Sequence, residues 1–154
     1  MSAQSHVERS DAERSAAERS NAEQDRQFAQ VVLNDHRLDQ IDRFVHEDFV
    51  EENPPPGQGP GRDGLRDFLQ SFQAAFPDLT WTVKELLAEG DTVAAWSVWE
   101  GTHSGEYLGI APTGRRVRVE AWTFDKFRDG RLASSRILMD IFGLLQQLGA
   151  IPAQ

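Results

Sequence analysis

Two periodicities divide the chain. Before Pro77 the apolar positions recur at helical spacing, and from Trp81 onward they alternate as in half-buried strands. Phe28, Val31 and Val32 predict an amphipathic helix ending at Asn34, and Ile41, Phe44 and Val45 a short second one over residues 38–45. Phe49 and Val50 lead into Glu51-Glu52-Asn53, where Pro54-Pro55-Pro56-Gly57 stops regular structure. Gly61-Arg62-Asp63-Gly64 opens a third helix with Leu65, Phe68, Leu69, Phe72 and Phe76 on one face, and Pro77 ends it. Strands are predicted over residues 81–89 and 92–103 around a Gly90-Asp91 turn, and over 115–127 and 132–141 around Asp129-Gly130. A short apolar helix, 142–148, closes the chain before Gly149. Helices first and a meander afterwards predict an α+β cone, a curved antiparallel sheet wrapped over N-terminal helices with a central pocket.

Residues 1–24 stand apart from this pattern. Glu-Arg-Ser recurs at Glu8-Arg9-Ser10, Glu13-Arg14-Ser15 and Glu18-Arg19-Ser20, and a five-residue period leaves no continuous apolar stripe. The pairs Arg9/Glu13, Arg14/Glu18 and Arg19/Glu23 fall at i,i+4 in the weaker order. The segment is expected to be a polar tail, mostly disordered or loosely helical, ahead of a domain spanning 25–154.

Sheet register follows from the turns. A three-residue loop with Gly130 in the left-handed position pairs Phe127 with Arg131. Ala121 then faces Ile137, Val119 faces Met139, and Arg118 faces Asp140. Centring the 104–114 loop on Gly109 sets His103 opposite Arg115, Trp99 opposite Val119 and Glu100 opposite Arg118. One face carries Trp99, Val119 and Met139, then Ser97, Ala121 and Ile137, then Ala95, Thr123 and Ser135, with His103 at its rim. The other carries the row Glu100, Arg118, Asp140 beside Trp96, Val98, Trp122, Phe124 and Leu138. That face is more aromatic than a monomer normally exposes, which predicts a homodimer through the outer sheet face. Glu85 points inward if the Gly90-Asp91 loop has three residues and outward if it has two.

Composition narrows the chemistry. Sixteen Lys and Arg against 25 Asp and Glu give a net charge of -9, which opposes a nucleic-acid partner. The absence of cysteine removes thiolate metal sites, cysteine nucleophiles and disulfides. No apolar run suits a membrane span and the polar N-terminus does not read as a leader, so a cytoplasmic protein is expected. His6, His36, His46 and His103 lack metal-ligand spacing. Gly57, Gly59, Gly61 and Gly64 follow a proline run with no Lys-Ser/Thr pair behind them, which marks a turn-rich connection rather than a phosphate loop. Candidate catalytic groups are His103 as proton carrier, Asn53 as a carbonyl-orienting amide, and Glu85 as an acid if it is buried. Trp99, Val119, Ala121, Thr123, Ile137 and Met139 are candidate substrate-binding wall, and Tyr107 on the 104–114 loop a gate or hydrogen-bond donor.

Several motifs carry a family resemblance. Glu52-Asn53-Pro54-Pro55, Gly61-Arg62-Asp63-Gly64, Phe76-Pro77-Asp78-Leu79, the stretch Gly101 to Arg115 (GTHSGEYLGIAPTGR) and Asp140 to Gly149 (DIFGLLQQLG) resemble the SnoaL-like polyketide cyclases, within the nuclear transport factor two-like superfamily. The resemblance runs over residues 25–152 and implies a natural-product pocket enzyme, usually without metal or cofactor and often dimeric or tetrameric. Members known best close a carbocycle by an intramolecular aldol reaction. The family pattern places their His and Asp where this chain has Thr123 and Ile137, and the His that many relatives carry before Asn-Pro is Glu52 here. Isoleucine can neither take a carbon acid's proton nor support an enolate. The expectation is therefore a ring-forming cyclase of a hydrophobic polyketide-type intermediate. It would act mainly through shape, pericyclic closure included, inside a wall without a proton-transfer pair. The alternatives are a cofactor-free polyketide hydroxylase and a non-catalytic small-ligand binder.

Overall fold

The computed structural model describes residues 3–153, with side chains from residue 13 onward. Helix α1 (Ala3–Phe28) runs on through a six-residue π turn, Ala29–Asn34, and a 3-10 turn, Leu38–Arg43, follows. Strand β1 (Val45–Glu51) precedes helix α2 (Gly61–Ala75). Then come β2 (Thr80–Glu89), β3 (Thr92–Thr102), β4 (Arg116–Arg128), β5 (Arg131–Met139) and helix α3 (Ile141–Gln147). The five strands lie in the order β1-β5-β4-β3-β2, with only the β1–β5 pair parallel. The fold is an α+β cone: the open antiparallel sheet curls over α2 and the end of α1, and the core lies between them.

The boundary drawn at residue 24 falls inside α1. Its last turns pack on the sheet through Asn21 and Asp25, both buried, so the stripe toward the core is polar. Arg9 lies outside the residues whose side chains are described. Glu18 accepts a hydrogen bond from Gly90 N at 3.0 Å, and Glu23 accepts one from Gln27 at 2.9 Å, in place of ion pairs with Arg14 and Arg19. The π turn is fixed to the sheet edge by Asn34, whose amide donates to Trp81 O at 2.8 Å and accepts from Trp81 N at 2.6 Å.

Residues 45–51, assigned from sequence to the end of a helix and its exit, form β1 instead. The segment has an irregular burial pattern, and its partner lies over 80 residues away, as in Val50 opposite Ser134. Helix α2 opens where Gly64 packs on the Gly59 carbonyl. A Cβ at Gly64 would lie 2.0 Å from that oxygen, so the glycines serve a tight turn.

Two turns settle the register. Asp129 (φ 52°) and Gly130 (φ 74°) are both left-handed, the signature of a two-residue hairpin turn, and Arg128 pairs with Arg131. Phe127 then faces Leu132, Ala133 bulges out, and Lys126 faces Ser134. The net effect is a displacement by two: Ala121 faces Met139, and Thr123 faces Ile137. An even displacement keeps each side chain on its face. Asp140, freed from Arg118, caps α3 by accepting from Gly143 N at 2.9 Å, so the three-membered charge row does not form. Glu100 still lies opposite Arg118, and Trp99 opposite Val119, as the loop argument required.

The Gly90-Asp91 turn has two residues, with Glu89 opposite Thr92, and Glu85 is exposed on the outer face opposite Trp96. A bulge at Lys84 then exchanges the faces, turning Trp81 and Val83 toward the core. On the outer face Phe124 is 62% and Leu138 63% exposed, with Trp122 and Leu87 also open and Val98 buried. No helix among the described residues is long and apolar enough to cross a membrane.

Candidate active site

A cavity opens between the concave sheet and α2. Helix α2 contributes Leu65, Phe68, Leu69 and Phe72, an apolar face at i, i+3, i+4 and i+7. Phe28 and Leu33 enter from α1 and the π turn, and Trp81 from β2. Pro55 and Gln58 come from the segment between β1 and α2, and β4 and β5 supply Thr123, Asp125, Ser135, Ile137 and Met139.

The residues singled out from sequence fall into three groups. Thr123, Ile137 and Met139 line the cavity, and Thr123 and Ile137 are direct cross-strand partners. Trp99, Val119 and Ala121 face inward but are sealed in the layer beyond it, where Trp99 packs edge-on against Phe72 (4.9 Å) and Phe76 (5.0 Å). Tyr107 lies on the far side of Phe72, in a second hollow bounded by Phe68 and Leu108; burial pushes its phenol up to about 12.

The three candidate catalytic groups are not brought together. His103 is 0% exposed and outside the cavity lining. Its Nδ1 accepts from Thr113 N at 3.2 Å, which ties the 104–114 loop to β3, and its ring packs 5.5 Å from Phe76. Asn53 is exposed, its amide donating to Ile137 O at 2.6 Å. Glu85 faces outward.

Two carboxyl groups that the sequence reading did not place there, Asp125 and Glu51, do line the cavity. Asp125 sits on β4 one inward step beyond Thr123, 6% exposed, and lines the cavity. It accepts from Ser135 Oγ at 2.5 Å, and the charge of Asp25 on α1, itself 9% exposed, acts on it. Glu51, at the end of β1, also lines the cavity and accepts from Asn53 N (3.0 Å) and Ile137 N (3.1 Å). Strands β4, β5 and β1 thus deliver Asp125, Ser135 and Glu51 to a mostly apolar hollow.

Burial raises the proton affinity of all three carboxyls. At Asp125 the rise is large, driven by desolvation, then by the charge of Asp25. Asp25 is raised by burial, opposed by Asp125 and by Arg26. Glu51 is raised by burial against its two backbone bonds. The signal for Asp125 was in the alternation of β4, which continues inward past Thr123. Asp25 and Asn21 carried a weaker one, polar residues at i and i+4 on the face that continues to Phe28 and Val32.

The SnoaL-like polyketide cyclase family model matches residues 23–148. Nogalonic acid methyl ester cyclase of Streptomyces nogalater is 30% identical over 120 residues, covering 75% of this chain and 88% of that protein. IdmH of Streptomyces antibioticus superposes with a TM-score of 0.73 at 31% identity, over 84% of this chain and 98% of that one. TsrD of Streptomyces laurentii superposes with a TM-score of 0.75 at 28% identity, over 84% and 96%.

Proposed function

Because the chain belongs to the SnoaL-like polyketide cyclases, we propose that it closes a ring in a hydrophobic polyketide-type intermediate held inside the cone. The observation that carries this reading is the cavity, an apolar hollow between the sheet and α2 walled by Leu65, Phe68, Leu69 and Phe72 and faced by Thr123, Ile137 and Met139. Holding two carbons at about 3–3.5 Å in aligned orientation supplies several kcal/mol toward closure without any covalent step on the protein. The pair Thr123 and Ile137 supports a reaction governed by shape, since neither side chain abstracts a proton from carbon. Closure of this kind, pericyclic reactions included, needs the substrate folded and at most one carbonyl polarised. The active form is a homodimer joined through Trp122, Phe124, Leu138 and Leu87 on the outer sheet face.

The test is turnover of a panel of polyketide esters, with nogalonic acid methyl ester, named in the relative from Streptomyces nogalater, as its first member. The expected product is a cyclised isomer, or its dehydration product, formed equally without oxygen. Ile137→Trp, which fills the cavity, should abolish it. A product heavier by one oxygen and formed only in air would make the protein a hydroxylase. Binding across the panel with no turnover would make it a ligand carrier. Light scattering should give twice the mass of the chain, reduced to one by Phe124→Glu; a monomeric wild type refutes the interface.

A further inference from the structure

We infer that Glu51 orients the bound intermediate: its Oε2 accepts a hydrogen bond from an enolic or phenolic hydroxyl of the ligand. This deepens the cyclase reading and rests on it for the identity of the natural ligand. It specifies the substrate further: besides an apolar body, it carries a hydroxyl that reaches the β1–β5 side of the cavity.

The end of β1 builds this acceptor. Parallel pairing sets Glu51 opposite Ser135, and Glu52 N donates to Ser135 O at 2.8 Å. A regular parallel ladder would continue with Ile137 N donating to the carbonyl of Glu52. Here Glu51 Oε1 takes that place, accepting from Ile137 N at 3.1 Å and from Asn53 N at 3.0 Å. Asn53 closes the clamp, its side-chain amide donating to Ile137 O at 2.6 Å. One carboxylate oxygen is thus spent on the backbone, and the other is not. Ser135, across the strand pair, gives its single hydroxyl proton to Asp125, so Oε2 of Glu51 has no donor among the described residues. The two backbone donors favour the ionised form against the burial that opposes it, and an ionised carboxylate only accepts.

The other polar groups of the wall do not make the same choice. Gln58 and Thr123 donate or accept alike. Asp125 is 6% exposed and already accepts from Ser135. Glu51 is half-buried and lines the cavity, so a ligand can reach its free oxygen without disturbing the anchored one. A charged acceptor in an apolar wall rewards a ligand that brings a donor and rejects one that covers it with nothing to offer. Asn53 is a positioning residue, since it holds the strand end that anchors Glu51 without touching the ligand.

Calorimetry at pH 7.5 with 2-naphthol and 2-methoxynaphthalene compares one aromatic body with and without a donor. Wild type should bind the naphthol about tenfold tighter or more, the worth of one hydrogen bond to a charged group. Glu51→Gln keeps an oxygen for the two backbone donors and puts an NH2 donor in place of Oε2. The preference should then fall to within about threefold or reverse, with the ether bound at least as tightly as before. Asn53→Ala should weaken the preference several-fold and leave the ether's affinity in place; an equal loss for both probes would reduce Asn53 to a purely structural role. The inference is overturned if wild type binds the two probes alike, or if Glu51→Gln keeps the full preference. The carboxylate would then serve the shallower hollow under residues 54–61, which it also borders. Failure of both probes to bind at millimolar concentration overturns it too, because the cavity would not take such a body. None of these readouts requires turnover. If the preference holds and no ester is cyclised, the cyclase reading has failed and the acceptor has not; cyclised esters with no preference mean the reverse.

Discussion

Phe72 is the wall between the two hollows, and its truncation is the most quantitative check on the packing argument. The ring is buried and meets four other aromatic rings: Phe68 at 6.0 Å, Phe76 at 5.5 Å, Trp99 at 4.9 Å and Tyr107 at 5.6 Å between centroids. Phe→Ala in a core costs about 3–5 kcal/mol, and the upper half of that range applies where neighbours cannot close the gap. They cannot here, because a hollow already lies on either side of the ring. A loss of about 4 kcal/mol in a chain of this size lowers Tm by roughly 8–16 °C. Urea titration with circular dichroism gives the free energy directly, provided wild type and variant share one m value. Phe72→Leu, which keeps the partition, should lose no more than about 1.5 kcal/mol. If Phe72→Ala cost less than about 1 kcal/mol, the aromatic cluster would not be a packed unit and the separation of the hollows would have no energetic basis. In turnover, Phe72→Ala should accept longer esters at reduced kcat, since a wider cavity holds a chain less firmly in its reactive fold.

Other substitutions probe the remaining features. Gly64→Ala drives a methyl into the Gly59 carbonyl and should destabilise by about 2 kcal/mol or more, read by thermal unfolding; a neutral change would mean that the 57–61 turn is free to move away. His103→Ala removes the bond to Thr113 N and opens a cavity beside Phe76, so it should cost about 1–3 kcal/mol and speed amide exchange in the 104–114 loop. Its kcat should stay within threefold of wild type, and a selective loss of kcat would return His103 to the catalytic set. Asp125→Asn tests linkage. An unfolded carboxyl releases its proton near pH 4, whereas the buried pair keeps its own, so the stability the pair confers is full below pH 4 and is lost as pH rises through the folded values. The variant should therefore gain on wild type in Tm between pH 4 and pH 8; an unchanged difference refutes the raised proton affinity of Asp125.

What could be read in the chain alone depended on whether the controlling contact was local. The α2 stripe and the inward faces of β3 and β4 follow from spacing and from turns within a few residues, and Thr123, Ile137 and Met139, read as inward, line the cavity. β1 was missed because its pairing partner is the last strand and its burial pattern does not alternate regularly. Glu85 hung on turn length, while Trp81 reached the cavity only through the bulge at Lys84, which no residue there announces. His103 followed the register to β3, but the aromatic layer of Trp99, Phe76 and Tyr107 closed it off from the cavity. The carboxyl pair was hardest to see: Asp25 and Asp125 are one hundred positions apart, and each alone looks like an ordinary polar residue. Only the packing of α1 onto the sheet buries Asp25 and brings its charge to bear on Asp125.

The extra residue at Ala133 has a consequence for how such proteins diversify. Deleting it would restore regular alternation with Ser135, Ile137 and Met139 still inward, because Leu132 already faces Phe127 and Ser135 already faces Asp125 on either side of it. Two residues added or lost in the neighbouring hairpin would instead slide β5 along its partner, changing which groups share a layer while keeping each side chain on its face. A bulge of this kind therefore lets the hairpin absorb a single-residue length change without everting the wall, whereas paired changes reset the depth at which a ligand is held.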